Sequence, residues 1–201
     1  MDRSRGQGVL ERGSHNGVAR SASFFAERNT LDNTELLAEL RSQLRALITS
    51  NYADLTQQFG DICGYAICAP PYFEHIFPAY QRASALQKCA TDSLGLNAHF
   101  PPQWQSIGTQ MFDAKFNELT SLISERRCDN ESLEATAVFN TILDVLIDVE
   151  HDGVFGPRSG ERFVTMWDVG GDESMILAAS QKLNSATVHA SAMETFGVES
   201  S

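Results

Sequence analysis

The stretch Asp61-Ile62-Cys63-Gly64-Tyr65-Ala66-Ile67-Cys68-Ala69 decides how the rest of the chain is read. On a two-residue period Ile62, Gly64, Ala66 and Cys68 share one face, and Cys63, Tyr65, Ile67 and Ala69 share the other. Neither face is polar, which is the pattern of a central strand covered on both sides. Gly60 closes the element before it. Pro70-Pro71 ends the strand, because proline removes donors from the ladder.

A strand buried on both faces needs helical layers, and the flanking sequence supplies them. Upstream, Leu36, Leu37, Leu40, Leu44, Leu47, Ile48 and Leu55 recur at three- and four-residue spacing, with Glu35, Glu39, Arg41 and Arg45 largely on the opposite face. This predicts a helix from about Thr30 to 59, with Asp32 or Asn33 as its N-cap oxygen. Downstream, Tyr72, Phe73, Ile76, Phe77 and Tyr80 form an aromatic stretch compatible with a second strand. Ala83–Ala90 reads as a short helix, and Phe100-Pro101-Pro102-Gln103-Trp104 as a buried loop.

Apolar spacing then predicts a helix over 109–127 (Met111, Phe112, Phe116, Leu119, Leu122, Ile123) and another from Leu133 to Gly153. Arg162–Val169 alternates as a strand, Phe163, Thr165 and Trp167 against Val164, Met166 and Asp168. Gly170-Gly171 turns the chain, Asp172 is placed to cap a helix over 173–184, and Asn184 to stop it. Residues 186–196 are expected to add a further helical turn or two. Helices and strands do not alternate strictly, so the expected fold is a single α+β domain over 30–197, its small mixed or antiparallel sheet packed by helices.

Residues 1–29 differ in kind. They are rich in Gly and Ser and nearly devoid of apolar periodicity, so they are expected to be a disordered N-terminal segment, unable to bury enough surface to offset the entropy of ordering. No apolar core follows their basic residues, so they do not read as a secretory signal. Residues 1–30 hold five Arg and three acids, which leaves ten basic and twenty-three acidic side chains for the remainder. The whole chain has 201 residues and a formal net charge of -11. That charge argues against general nucleic-acid binding, which rests on clustered Lys and Arg. No apolar run is long enough for a membrane span. Four Cys without paired close spacing argue against a disulfide-rich secreted scaffold.

Several chemistries can be tested by spacing. Asp148-Val149-Glu150-His151-Asp152-Gly153 copies the first half of an EF-hand loop, but the bidentate position falls on Ser159 and a strand follows, so calcium is not expected. The acids nonetheless sit at a helix C-terminus, where the dipole disfavours them, and this suggests that they have a partner. For zinc, Cys63 and Cys68 point to opposite faces of one strand, Cys89 and Cys128 are isolated, and the five His form no ligand pair, so no metal is expected. There is no Gly-x-Ser-x-Gly elbow, and a Cys–His pair such as Cys89 with His99 could form only in three dimensions. Gly156–Arg162 lacks the Lys-Ser/Thr of a phosphate loop and opens a strand, so it reads as a turn. Asp168 either ends its strand or is a functional carboxylate with a raised pKa. No cofactor is expected.

Residues 139–196 resemble a bacterial domain-of-unknown-function family, number four thousand three hundred and three. The resemblance rests on a long apolar helix ending in an acid-Gly-x-Phe step (Ile142–Asp152, then Gly153-Val154-Phe155). It continues in a strand ending in an acid (Phe163–Asp168) and a helix ending Ser180-Gln181-Lys182-Leu183-Asn184. Pro101-Pro102-Gln103-Trp104 is similar to an aromatic-Pro-Trp segment of that family. The resemblance implies a cytoplasmic α+β domain in the company of small immunity-like proteins that neutralise toxins of rival cells.

These readings lead to a non-enzymatic protein-binding domain, most concretely an immunity-type protein that occludes a basic toxin, with Asp148, Glu150, Asp152, Asp168, Asp172 and Glu173 as the expected partner contacts. The alternatives are an enzyme with an acid/base site assembled from distant residues, such as Asp168 and a histidine, and a structural or dimerising subunit.

Overall fold

The computed structural model describes the backbone of residues 16–70, 75–89, 94–107, 113–129, 134–158, 161–171 and 173–198, with side chains from 33 onward apart from 126–129. Among the described residues, seven helices pack around a three-stranded sheet. In chain order these are α1 (Asn16–Phe59), β1 (Ile62–Ala69), β2 (Phe77–Arg82), α2 (Ala83–Leu86), α3 (Leu94–His99), a 3₁₀ turn (Pro101–Gln103), α4 (Ala114–Asp129), α5 (Ala135–His151), β3 (Phe163–Asp168), α6 (Ser174–Leu183) and α7 (Ala186–Thr195). The expected α+β class holds, and the sheet is mixed. Its order is β2-β1-β3, with β1 antiparallel to β2 and parallel to β3.

Strand β1 is central and covered twice, as its sequence requires. Tyr65, Ile67 and Ala69 enter a large core with Leu36, Leu40, Leu44 and Ile48 of α1 and with Ile142, Val145, Leu146 and Val149 of α5. Ala66 and Cys68 enter a smaller core on the opposite face with Trp104, Phe163, Val188 and Ala192. Strand β3 divides by the same alternation, Val164 and Met166 to the large core and Phe163 and Trp167 to the small one.

Helix α1 starts at Asn16 and so runs through part of the segment expected to be disordered; residues 1–15 lie outside the described residues. Ala19, Arg20, Ala22, Ala26, Glu27 and Arg28 have favourable intrinsic helix propensities. Gly60, at φ +71, takes the left-handed position that ends α1, and its N–H returns to the Thr56 carbonyl. Helix α4 begins later than the expected 109, because the Asp113 carboxylate caps it by accepting from the amides of Lys115 and Phe116; Met111 and Phe112 lie outside the described residues.

Side chains bind backbone groups at both outer edges of the sheet. On β2, Ser106 Oγ accepts from the Tyr80 amide at 2.8 Å and donates to the Tyr80 carbonyl at 2.6 Å. Just before β2, Thr120 Oγ1 accepts from the Ile76 amide at 2.9 Å. On β3, Asn184 Oδ1 accepts from the Val164 amide and Nδ2 donates to the Val164 carbonyl, both at 2.7 Å. Asn184 follows α6 as expected, but in an extended conformation (φ -116, ψ 173) rather than the left-handed one of a helix stop. Its carboxamide imitates a neighbouring strand.

Candidate functional site

Strand β1 carries an irregularity between Ile62 and Gly64, where the pairing with β2 shifts register. A bulge reverses the facing of the residues before it. Ile62 accordingly packs on the large core, and Cys63, expected beside Tyr65, instead lines a cleft of about 540 Å³ on the small-core side of the sheet. Ala83, Leu86, Leu94 and Ala98 form its apolar walls; His99, Glu161, Ser191 and Gln87 supply the polar lining. The fold thus brings Cys63, not Cys89, into one cleft with His99.

Three contacts fix the cleft. Asp61 accepts from Arg82 Nε at 2.7 Å and from the Ser84 amide at 3.1 Å, which holds the end of β2 and the start of α2 against β1 and lowers the Asp61 pKa to about 2. Helices α3 and α7 meet at Gly95, where a Cβ would lie 2.9 Å from Thr195 Oγ1, so only glycine permits this approach. Thr195 Oγ1 donates to the Ser191 carbonyl and lies 2.9 Å from His99 Nδ1. With its single proton committed, the hydroxyl accepts from Nδ1–H, which leaves Nε2 as the lone-pair nitrogen of His99. Burial holds the His99 pKa below the usual 6.5, against a raising contact with Gly95, so the ring is neutral near pH 7.

The thiol is equally constrained. Burial, then the charges of Asp61 and Glu161, push the Cys63 pKa up to about 11, and Sγ lies 3.5 Å from the Gln81 carbonyl as a donor. A thiol held protonated is a poor nucleophile and a poor metal ligand. Among the described residues no group of three His, Cys, Asp or Glu side chains converges as a metal site would, and no helix is long and apolar enough to cross a membrane.

The carboxylates singled out from the sequence do not form one surface. Asp148 and Asp152 lie on the outer side of α5 and pair with α1: Arg41 reaches Asp148 at 3.2 Å and Asp144 at 3.8 Å, and Arg45 reaches Asp148 at 4.0 Å and also binds Asp152. Both partners advance by four residues together, so the two helices run in the same direction. The acids at the end of α5 do have a partner, and it is α1 of the same chain. Glu150 must be removed from the expected contacts. Its side chain is 4% exposed, bound by Arg158 Nε at 2.8 Å and by both terminal nitrogens of Arg162. Burial raises the Glu150 pKa, but the two guanidiniums outweigh it and hold the carboxyl below the ordinary 4.5. The same arginines donate to the carbonyls of Lys182 and Leu183, so the ion triad ties α5 to the end of α6.

Asp168 ends β3, half-buried, and its Oδ2 lies 2.7 Å from where a Gly171 Cβ would be; the Gly171 amide returns to the Asp168 carbonyl. This is the strand-end role. Glu173 is exposed at the start of α6, and Asp172 lies outside the described residues. The cleft itself was not legible as a site, since its lining comes from five separate stretches of chain.

No family model, curated protein or solved structure matches the chain.

Proposed function

We propose that this chain is a non-catalytic protein-binding domain, in its most concrete form a cytoplasmic, immunity-type bacterial protein that neutralises a basic toxin by direct binding. The observation that carries this reading is the fate of the arginines. Every arginine whose side chain is described is engaged with a carboxylate of its own domain: Arg41 and Arg45 with α5, Arg82 with Asp61, and Arg158 and Arg162 with Glu150. These five of the chain's fifteen basic side chains are thus paired within the domain, against a net charge of -11. The exterior retains exposed carboxylates at Glu35, Glu39, Asp54, Glu118, Glu134 and Glu173. Such a field speeds encounter with a basic partner and selects against acidic ones.

One further feature supports the reading: Ser106 on Tyr80 and Asn184 on Val164 occupy backbone groups at the two sheet edges, where strand addition would need them unpaired. An enzyme built on Cys63 and His99 is less well supported, since the thiol is held protonated.

The test is co-purification from the native host at moderate salt, followed by stopped-flow association with the retained protein. The expected partner is basic and toxic alone, and reversal of Glu35, Glu39 and Glu173 to Lys slows its association several-fold while flattening the salt dependence. A partner without a basic surface, or an association rate unmoved by the three reversals, overturns the reading.

A further inference from the structure

The cleft beside the β1 bulge has a chemical bias independent of the protein-binding reading. Its walls are aliphatic, from Ala83, Leu86, Leu94 and Ala98; Gln87 and Ser191 can donate or accept, and the charged group in the lining is Glu161. Glu161 is a carboxylate, able only to accept when ionised. His99, with Nδ1 committed to Thr195 Oγ1 at 2.9 Å, keeps an accepting Nε2. The Cys63 proton is directed to the Gln81 carbonyl. Among the described residues, no Lys or Arg lines the space. The rise of the Cys63 thiol to about 11 comes first from burial, and the charges of Asp61 and Glu161 add to it.

An anion would meet like charge and lone pairs there, and a purely apolar molecule would strand the acceptors. We infer that the cleft lined by Leu86, Leu94, His99 and Glu161 is a binding site for an organic cation on an aliphatic stem, the ammonium or guanidinium on Glu161 and the stem along the leucines. Leu94 is 42% exposed at the mouth, which leaves apolar surface for the stem to cover. The cation can come from a free amine or from a lysine or arginine side chain of a protein.

The experiment is methyl NMR on the full chain, following Leu86, Leu94 and Ala98 during titration with n-pentylamine, pentanoate and Nα-acetyl-lysine methylamide. Saturable shifts with pentylamine are expected in the millimolar range typical of so small a ligand, and none with pentanoate. Glu161→Gln, at an exposed position that disturbs no buried pair, weakens the amine about tenfold, the loss of one hydrogen bond to a charged group. Leu94→Trp, which occludes the mouth, abolishes the shifts. Binding of the blocked lysine as well assigns the site to a protein side chain; binding of pentylamine alone assigns it to a free amine. Equal binding of pentanoate, an amine affinity unmoved by Glu161→Gln, or absence of any saturable shift overturns the inference.

Discussion

Replacing Asn184 with alanine would strip the outer edge of β3 of its partner. Asn184 is 4% exposed, and its carboxamide satisfies both backbone groups of Val164 at 2.7 Å while Nδ2 also lies 3.2 Å from the Ser180 carbonyl. After truncation the Val164 amide and carbonyl remain buried under α6 with nothing to bind. A buried polar group left without its partner costs about 1–3 kcal/mol, so the pair costs about 2–6 kcal/mol, a large part of the ~5–15 kcal/mol that holds a domain folded. The assay is urea unfolding followed by circular dichroism, in which the midpoint falls and the slope is unchanged.

Asn184→Asp sharpens the test. The carboxylate keeps an acceptor for the Val164 amide but sets a second oxygen against the Val164 carbonyl. Burial and that carbonyl both favour the protonated acid, so the folded pKa lies above the unfolded value of about 3.9. The stabilising proton is fully present below the unfolded pKa and is lost as pH rises through the folded one. The aspartate variant should therefore approach the parent at pH 4 and resemble the alanine variant at pH 8. A loss under about 1 kcal/mol for alanine, or an aspartate variant that does not improve relative to the parent between pH 8 and pH 4, would refute the strand-mimic account.

Other perturbations bear on the remaining parts of the fold. Glu150→Gln leaves Arg162, whose side chain is 7% exposed, without its counter-charge, and should lower stability by about 3–5 kcal/mol in the same unfolding assay. Because the Glu150 pKa is depressed below 4.5, the contribution is present above that value and disappears as pH falls through the folded pKa, so acid should narrow the gap between variant and parent. Gly64→Ala places a Cβ 2.9 Å from Gln81 Cβ and 3.0 Å from the Trp104 ring, and overpacking there should cost about 1–3 kcal/mol with a change in tryptophan fluorescence. Cys63, raised from 9.0 to about 11, should alkylate about 100-fold more slowly at pH 7 than an unperturbed thiol; mass spectrometry of iodoacetamide-treated protein reads the rate, and prompt labelling would contradict the protonated thiol.

What the sequence revealed was whatever local periodicity encodes. The two apolar faces of β1 from Gly64 to Ala69, the alternation of β3 and the four-residue spacing of Leu36, Leu40, Leu44 and Ile48 each survive, because burial of a strand or helix face is a short-range pattern. Contacts between distant stretches were not legible in the same way. Arg41 and Arg45 matched Asp144, Asp148 and Asp152 in spacing, a signal present in the sequence, but nothing local says that α1 and α5 lie side by side. The β1 bulge broke the strict two-residue alternation and sent Cys63 to the face opposite its expected one. Asn184 was legible as a helix-ending residue, yet its work is done on a backbone twenty positions upstream.

The double allegiance of β1 has a consequence for how the molecule comes apart. One eight-residue segment supplies Tyr65 and Ile67 to one cluster and Ala66 and Cys68 to the other. Neither cluster can dissolve while the other keeps its share of that ribbon in place. Melting should thus proceed in a single step, and clipping the chain on either side of β1 should yield two insoluble or unstructured pieces rather than a surviving half.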